Sequence, residues 1–218
     1  MTAVDATAAS ELSIVICALD KLPADPSTLG PEEMRHLQRL QRPLDRRRFV
    51  AAHAALRAAL GLRLDSDPAE LELARAPCSE CGAPHGRPVI LRPGGSLARR
   101  AGLHFSLSRS GNHALIAIAP VPVGADIEAL PEPNMCKRLA ALLHPREQAL
   151  IVGAPDEHRQ ILFTRLWCRK EAYLKGLGIG FGHETTEGYL SSLEHTPGWR
   201  VENVDAPEGF AAAVATAL

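Results

Sequence analysis

Residues 156–178 constrain this chain more than any other stretch, because their apolar positions follow a single helical stripe. Ile161, Leu162, Leu166, Tyr173 and Leu174 recur at near-3.6 spacing, and Gly176 and Gly178 supply a stop. On such a helix Lys170 and Glu171 sit side by side, while Glu171 and Lys175 lie four apart and share a face. A hard oxygen ligand therefore stands one turn from an ammonium suited to phosphate. Taken alone, the pair also reads as an ordinary solvated Glu–Lys contact. A second stretch, some forty residues upstream, bears on the choice.

That stretch is Gly124-Ala125-Asp126-Ile127-Glu128, with two carboxylates at i and i+2. On a strand this spacing points both to one face. Aligned carboxylates repel unless a cation lies between them, and with oxygen ligands alone that cation is most simply Mg²⁺. The competing reading is an exposed strand end that happens to carry two acids. A third carboxylate from Glu171 would leave metal positions open for phosphate oxygens.

The rest of the chain supplies a frame. At 218 residues it can bury a core as one large domain or two small ones. Leu12 to Leu19 reads as a buried strand, and Pro31-Glu32-Glu33 as the first turn of a helix. From Leu44 to Leu62 the period is helical, with Phe49, Ala52, Leu56, Ala59 and Leu60 as the core face and Arg48 and Arg57 elsewhere. Residues 75–102 read as loops around at most one short strand. Leu103 to Ser108, His113 to Ala119 and Val121 to Glu128 then read as strands, with a hairpin turn at Gly111-Asn112. Met135 to Leu143 and Pro145 to Val152 are helical, a Gly-rich loop runs from Gly176 to Gly182, and Trp199 to Val204 and Phe210 to Leu218 close the chain as strands. Each half thus holds an early strand, helices and closing strands. The pattern predicts an α+β fold with two similar halves meeting near Pro120 to Val123.

Several function classes recede. A net charge of −1 argues against a bulk nucleic-acid surface. No apolar run approaches the ~20 residues that span a bilayer. The first ten residues show no basic-then-apolar pattern, so cytoplasm is the expected location. The arginines at 35, 39, 42 and 46–48 suit either a solvated face or an anionic ligand. Five cysteines are too few and scattered for a disulfide framework. Cys78-x-x-Cys81 with His85 could supply three zinc ligands, but the usual second pair is missing. The expectation there is a Gly/Pro-rich surface loop with reduced thiols. Cys168 has no base paired to it in sequence and is not expected to be a nucleophile; His104, His113, His144 and His183 are scattered without ligand spacing and are expected to be structural or exposed.

Four segments in order resemble one family. They are Gly86-Arg87-Pro88; Phe105-Ser106-Leu107-Ser108-Arg109-Ser110; Gly124-Ala125-Asp126-Ile127-Glu128; and Trp167-x-x-Lys170-Glu171-Ala172-x-x-Lys175-x-x-Gly178. Together, across roughly residues 31–181, they resemble the 4′-phosphopantetheinyl transferases, in particular the larger, pseudo-dimeric class that primes peptide and polyketide synthases. The resemblance implies two pseudo-symmetric α/β halves, 1–120 on the nucleotide side of coenzyme A and 121–218 on the magnesium and catalytic side, with the active site in the cleft between them. It implies Asp126, Glu128 and Glu171 as ligands of Mg²⁺, with Mn²⁺ an alternative. Lys175 matches the lysine that contacts phosphate oxygens. Arg48, Arg87 and Ser108 fall at positions expected around the nucleotide end of coenzyme A, the substrate. Glu147 sits at about the spacing of a further acid near the metal. Glu171, Glu147 or a metal-bound water would take the proton of the attacking serine.

The partners implied are acyl and peptidyl carrier protein domains, with no nucleic acid or membrane, and a chain that supplies its own cleft is expected to be a monomer. The carrier is expected to dock over Pro131–Leu150. Two departures stand out. Ser106 replaces an Asn, with the expected loss of a structural hydrogen bond, and Arg109 replaces a His that contacts phosphate. Arg keeps a donor there and fixes its positive charge. The family's upstream lysines for the 3′-phosphate are not matched at Glu33 and His36, which leaves Arg35, Arg39 or Arg42 for that task. Two other readings compete with transfer. One is a coenzyme A or carrier-binding module that has lost activity; the other is a phosphohydrolase passing phosphopantetheine to water.

Overall fold

The computed structural model describes residues 11–78, 81–91, 102–179, 196 and 198–218. The part of the Gly-rich loop from 180 to Gly182, and His183, lie outside them. In chain order the elements are β1 (Ser13–Ala18), α1 (Pro31–Arg39), α2 (Pro43–Leu64), β2 (Leu73–Arg75), β3 (Pro88–Ile90), β4 (His104–Ser110) and β5 (His113–Ala119). There follow β6 (Val123–Ala129), α3 (Pro133–Ala140), α4 (Pro145–Gly153), α5 (Asp156–Leu177), β7 (Trp199–Val204) and β8 (Phe210–Ala217). Helices α1 to α4 all begin on proline, where a missing N–H costs nothing.

Among the described residues the strands form two three-stranded antiparallel sheets, ordered β1-β5-β4 and β6-β8-β7, plus the β2–β3 pair. The two larger sheets share one connectivity. In each, the first strand pairs with the last, the last pairs with the one before it, and helices fill the long connection after the first strand. A 22-residue helix packs on each sheet: α2 on the first, α5 on the second. Leu56 and Leu60 of α2 meet Phe105, Ile116 and Ile118. On the second sheet, Cys168 and Ala172 of α5 meet Ala211, Ala213 and Ala215 of β8. Alanines at alternate positions leave room for the helix backbone to come close.

The sheets also bury a common core, with Leu115, Ala117 and Ala119 against Val123, Ala125, Ile127 and Val214. Strands β4 and β6 run beside each other without a backbone ladder, and serine side chains join them instead. Ser106 Oγ accepts from the Ala125 N–H at 3.0 Å, and Ser110 Oγ accepts from the Ala129 N–H at 3.0 Å. Ser106 therefore holds a hydrogen bond across the seam.

Three expectations change. Strand β1 lies at a sheet edge, with Ile14 and Val15 38% and 41% exposed, so it is not buried. Gly176 lies inside α5, and the stop is Gly178 alone, at φ +79° with its N–H on the Leu174 and Lys175 carbonyls. Arg57 is 1% exposed, not on a solvated face. Its guanidinium donates to Glu33 Oε2 at 2.6 and 2.9 Å and to the Pro68 and Leu71 carbonyls. Glu33 also meets His53 Nδ1 at 2.6 Å and accepts from the Gly30 N–H. Burial alone would raise the Glu33 carboxyl, but the hydrogen bonds from His53, Arg57 and Gly30 pull it down to about 2.

Candidate active site

Period-2 alternation on β6 puts Asp126 and Glu128 on the face that meets β4, where a matching alternation presents Ser108 and Ser110. Ser108 donates to Asp126 Oδ1 at 2.8 Å, and Ser110 donates to Glu128 Oε2 at 2.7 Å. Helix α5 crosses the same strand closely, because Gly124 and Gly176 carry no side chains at the crossing. A Cβ on Gly124 would lie 1.9 Å from the Ala172 carbonyl oxygen and 2.4 Å from the Gly176 nitrogen. This approach brings Lys175 Nζ to 2.5 Å from Asp126 Oδ1 and 3.1 Å from Ser108 Oγ.

The electrostatics follow from crowding acids in a sheltered place. Burial pushes the Glu171 carboxyl up to about 7; Lys175 pulls it back, and Asp126 and Glu128 add to the rise. Glu128 is raised as well, by burial and then by the charge of Asp126. Asp126 is 1% exposed, and its Oδ2 is a buried oxygen with no hydrogen-bond partner. An orphaned buried carboxylate oxygen beside two further acids is a position a hard cation satisfies. The donor set thus suits a divalent cation, though the three carboxylates do not converge as tightly as ligands around an ion. Among the described residues, a group of three ligand atoms all within 4.8 Å of one another is found only at Cys78, Cys81 and His85.

Glu171 and Lys175 open into a cavity of about 420 Å³ whose other walls come from α1, α2, the β2–β3 hairpin and β4. Arg87 and Arg109 line it too. Arg87 donates to the Gly176 carbonyl at 3.3 Å, tying the hairpin to the end of α5. Arg109 lies over the Phe49 ring, 5.1 Å from its centre. Ser108, Asp126 and Glu128 lie behind Lys175 rather than on this wall, and Arg48 and Glu147 are engaged elsewhere. Arg48 makes a two-pronged contact with Asp20, at 2.9 and 3.0 Å. Glu147 is fully buried; its Oε2 accepts from Lys170 at 3.0 Å and from the His144 N–H at 2.9 Å, as the capping glutamate of α4.

The cavity also has lining groups that sequence periodicity assigned elsewhere. Phe49 sits between His36 and His53, with ring centres 4.9 and 4.1 Å away. The 49/53 spacing of one helical turn was visible, but nothing local says that His36 of α1 stacks on the same ring. Cys168, fully buried, donates to the Ala211 carbonyl at 3.3 Å, and burial raises its thiol far above the ordinary range.

A carboxylate cluster with one lysine thus adjoins a cavity lined by arginines, Arg87 and Arg109 among them, a charge distribution suited to a polyanionic ligand. Comparison with known proteins specifies the class. A sequence model described as the 4′-phosphopantetheinyl transferase superfamily matches residues 122–213. The chain is 33% identical over 199 residues to the 4′-phosphopantetheinyl transferase HetI of Nostoc sp., covering 88% of this chain and 79% of that protein. It is 32% identical to a putative 4′-phosphopantetheinyl transferase, slr0495, of Synechocystis sp., over 77% of this chain and 65% of the other. A shorter match, 30% identical over 109 residues, is to the 4′-phosphopantetheinyl transferase psf-1 of Bacillus pumilus. The chain belongs to the 4′-phosphopantetheinyl transferase family.

Proposed function

We propose that this protein transfers the 4′-phosphopantetheine arm of coenzyme A to a serine of an acyl or peptidyl carrier protein, releasing 3′,5′-ADP. The observation that carries the reading is the junction of β6 and α5. Asp126, Glu128 and Glu171 are gathered there around Lys175, and Glu171 and Lys175 open into the cavity that Arg87 and Arg109 also line.

The nucleophile is a neutral hydroxyl, and the electrophile is a phosphorus wrapped in negative oxygens. Catalysis therefore depends on positioning and on cancelling charge. The serine oxygen bonds to the β-phosphorus as the bridging bond to 3′,5′-ADP breaks. Lys175 offsets the charge that grows on the phosphate oxygens. Arg87 and Arg109 hold phosphates on the cavity wall, and Ser108 keeps Lys175 and Asp126 in register. Asp126, Glu128 and Glu171 would hold Mg²⁺, or Mn²⁺ by the same oxygen ligands, which when bound neutralises the pyrophosphate. Glu171, the one of these three carboxylates that lines the cavity, would accept the serine proton. Glu147 is assigned a supporting part, because Lys170 and the α4 N-terminus already engage its carboxylate.

In this reading the chain is pseudo-symmetric, with halves 1–120 and 121–218. The shared strand order of the two larger sheets supports that division. Coenzyme A lies in the cleft between the halves, and a monomer suffices. The carrier docks over Pro131–Leu150, where Met135, Leu142 and Leu150 are each more than 40% exposed. No helix among the described residues is long and apolar enough to cross a membrane, and the assigned site of action is the cytoplasm.

The test is a transfer reaction with apo carrier protein, coenzyme A and Mg²⁺, read by intact mass, with Glu171→Ala alongside. The expected result is a mass gain of one phosphopantetheinyl group that disappears in the variant. Free phosphopantetheine instead would mean hydrolysis. Bound coenzyme A with no change in any of several carriers would mean a binding module.

A further inference from the structure

The β2–β3 hairpin carries a second cluster of metal-ligating groups, unlike the first in chemistry and outside its residues. The strands pair from Leu73↔Ile90 to Arg75↔Pro88, and the ladder continues with Ala76 and Arg87. The chain then folds back on itself. The Cys78 N–H donates to the Ala83 carbonyl at 2.7 Å, the Gly82 N–H to the Cys78 carbonyl at 2.9 Å, and the His85 N–H to the Ala83 carbonyl at 2.8 Å. Gly82 takes φ +72° with open space around it, so it serves the turn and not the packing. Gly86 serves the packing: a Cβ there would lie 2.6 and 2.7 Å from the Pro77 and Ala76 carbonyl oxygens.

This turn collects three ligand atoms. Those of Cys78, Cys81 and His85 lie within 4.8 Å of one another, with Cys81 Sγ 3.0 Å from His85 Nε2. Neither cysteine is in a disulfide. In a tetrahedral zinc site, bonds of about 2.3 Å to sulfur and 2.0 Å to nitrogen put ligand atoms about 3.5–3.8 Å apart. Small side-chain adjustments meet that geometry. The missing second cysteine pair, which argued against a metal from sequence, is answered in part by His85 closing on the two thiols.

We propose that Cys78, Cys81 and His85 bind one Zn²⁺, with a solvent molecule in the fourth position. Two thiolates and an imidazole select a borderline-soft cation, whereas the all-oxygen cluster on β6 and α5 suits a hard one. The chain thus sorts two metals by donor type. On binding, the two thiols release their protons to solvent and the bonds formed are Zn–S and Zn–N. The cation pins the hairpin at the point where His85, Gly86 and Arg87 enter the cavity wall. Its role is to position Arg87, not to react.

The experiment uses the full chain, purified without chelator from zinc-supplemented cells, with metal content measured by mass spectrometry. The expected content is about one zinc per chain, falling to background in Cys81→Ser and in His85→Ala and unchanged in Asp126→Asn. Cys81 and His85 are exposed, and circular dichroism checks that both variants are folded. Cobalt loading of the metal-free chain gives an independent readout. Thiolate-to-cobalt charge-transfer absorption is expected in the parent and absent in Cys81→Ser. The proposal is overturned by parent zinc no higher than that of Cys81→Ser together with no such absorption. Zinc lost only in Asp126→Asn, or a Cys78–Cys81 disulfide in chain trapped directly from cells, overturns it equally.

Discussion

Placing a single methyl group on Gly124 tests the site's architecture directly. In Gly124→Ala the new Cβ falls 1.9 Å from the Ala172 carbonyl oxygen and 2.4 Å from the Gly176 nitrogen. Both are backbone atoms of α5, so no side chain can swing aside. Reaching the 3.0 Å below which Cβ contacts are essentially never seen requires strand and helix to part by about 1 Å. The wedge is well placed to matter, because Asp126 lies two residues along the strand and Glu171 and Lys175 flank it on the helix. Overpacking of this kind costs about 1–3 kcal/mol, and replacing glycine in a strand returns about 0.5–1 kcal/mol. With only backbone to yield, a net loss of about 2 kcal/mol is expected, small enough to leave the chain folded.

Activity should suffer more than stability. A misplacement of about 1 Å in a positioned site can cost about 100-fold in rate. Transfer followed by intact mass, beside urea unfolding, should therefore show kcat/KM down about 100-fold and a lower unfolding midpoint without a change in m. Gly153→Ala is the control, since nothing lies within 4 Å of its Cβ. If Gly124→Ala matched that control in both rate and midpoint, the close crossing of β6 and α5 could not be what holds the carboxylates and lysine together.

Lys175→Met removes the cation from Asp126 and Ser108 while keeping the length of the side chain; a fall in kcat of about 100- to 1000-fold is expected, and a change confined to KM would assign Lys175 to binding alone. Glu33→Gln strands the buried Arg57 and should cost about 3–5 kcal/mol in urea unfolding. The same carboxylate predicts an acid transition: with its folded pKa at about 2, below the ordinary 4.5, its stabilisation is present above about pH 4.5 and drains away as pH falls towards 2, by about 3 kcal/mol in all. Unfolding free energy in Glu33→Gln should lose that part of its slope between pH 4.5 and 2. Arg109→His should retain transfer activity, since the imidazole keeps a donor over Phe49; complete loss in the mass assay would show a site rebuilt around the guanidinium.

Much of the frame follows from local rules. Prolines at helix starts, the 3.6 period of α5, the alternation along β4 and β6, and the Gly111 turn depend only on near neighbours. So does the shared face of Asp126 and Glu128, and that of Glu171 and Lys175. Periodicity assigns each side chain to a face of its own element but is silent on which face meets which. That pairing belongs to packing across long sequence separations. It turned Lys175 to Asp126, 49 residues away. It set Arg87 against Gly176, 89 residues away, and drew Arg48 to Asp20 on the far side of α2. It also buried Arg57 with Glu33, and Lys170 with Glu147, where a charged pattern alone suggests solvent. The serine seam between β4 and β6 has the same origin: alternate small hydroxyls can be read from the chain, yet their partners exist only once two sheets lie side by side. Chemistry-bearing residue types are a property of the sequence; their convergence on one cavity arises when glycines and alanines let α5 settle onto its sheet.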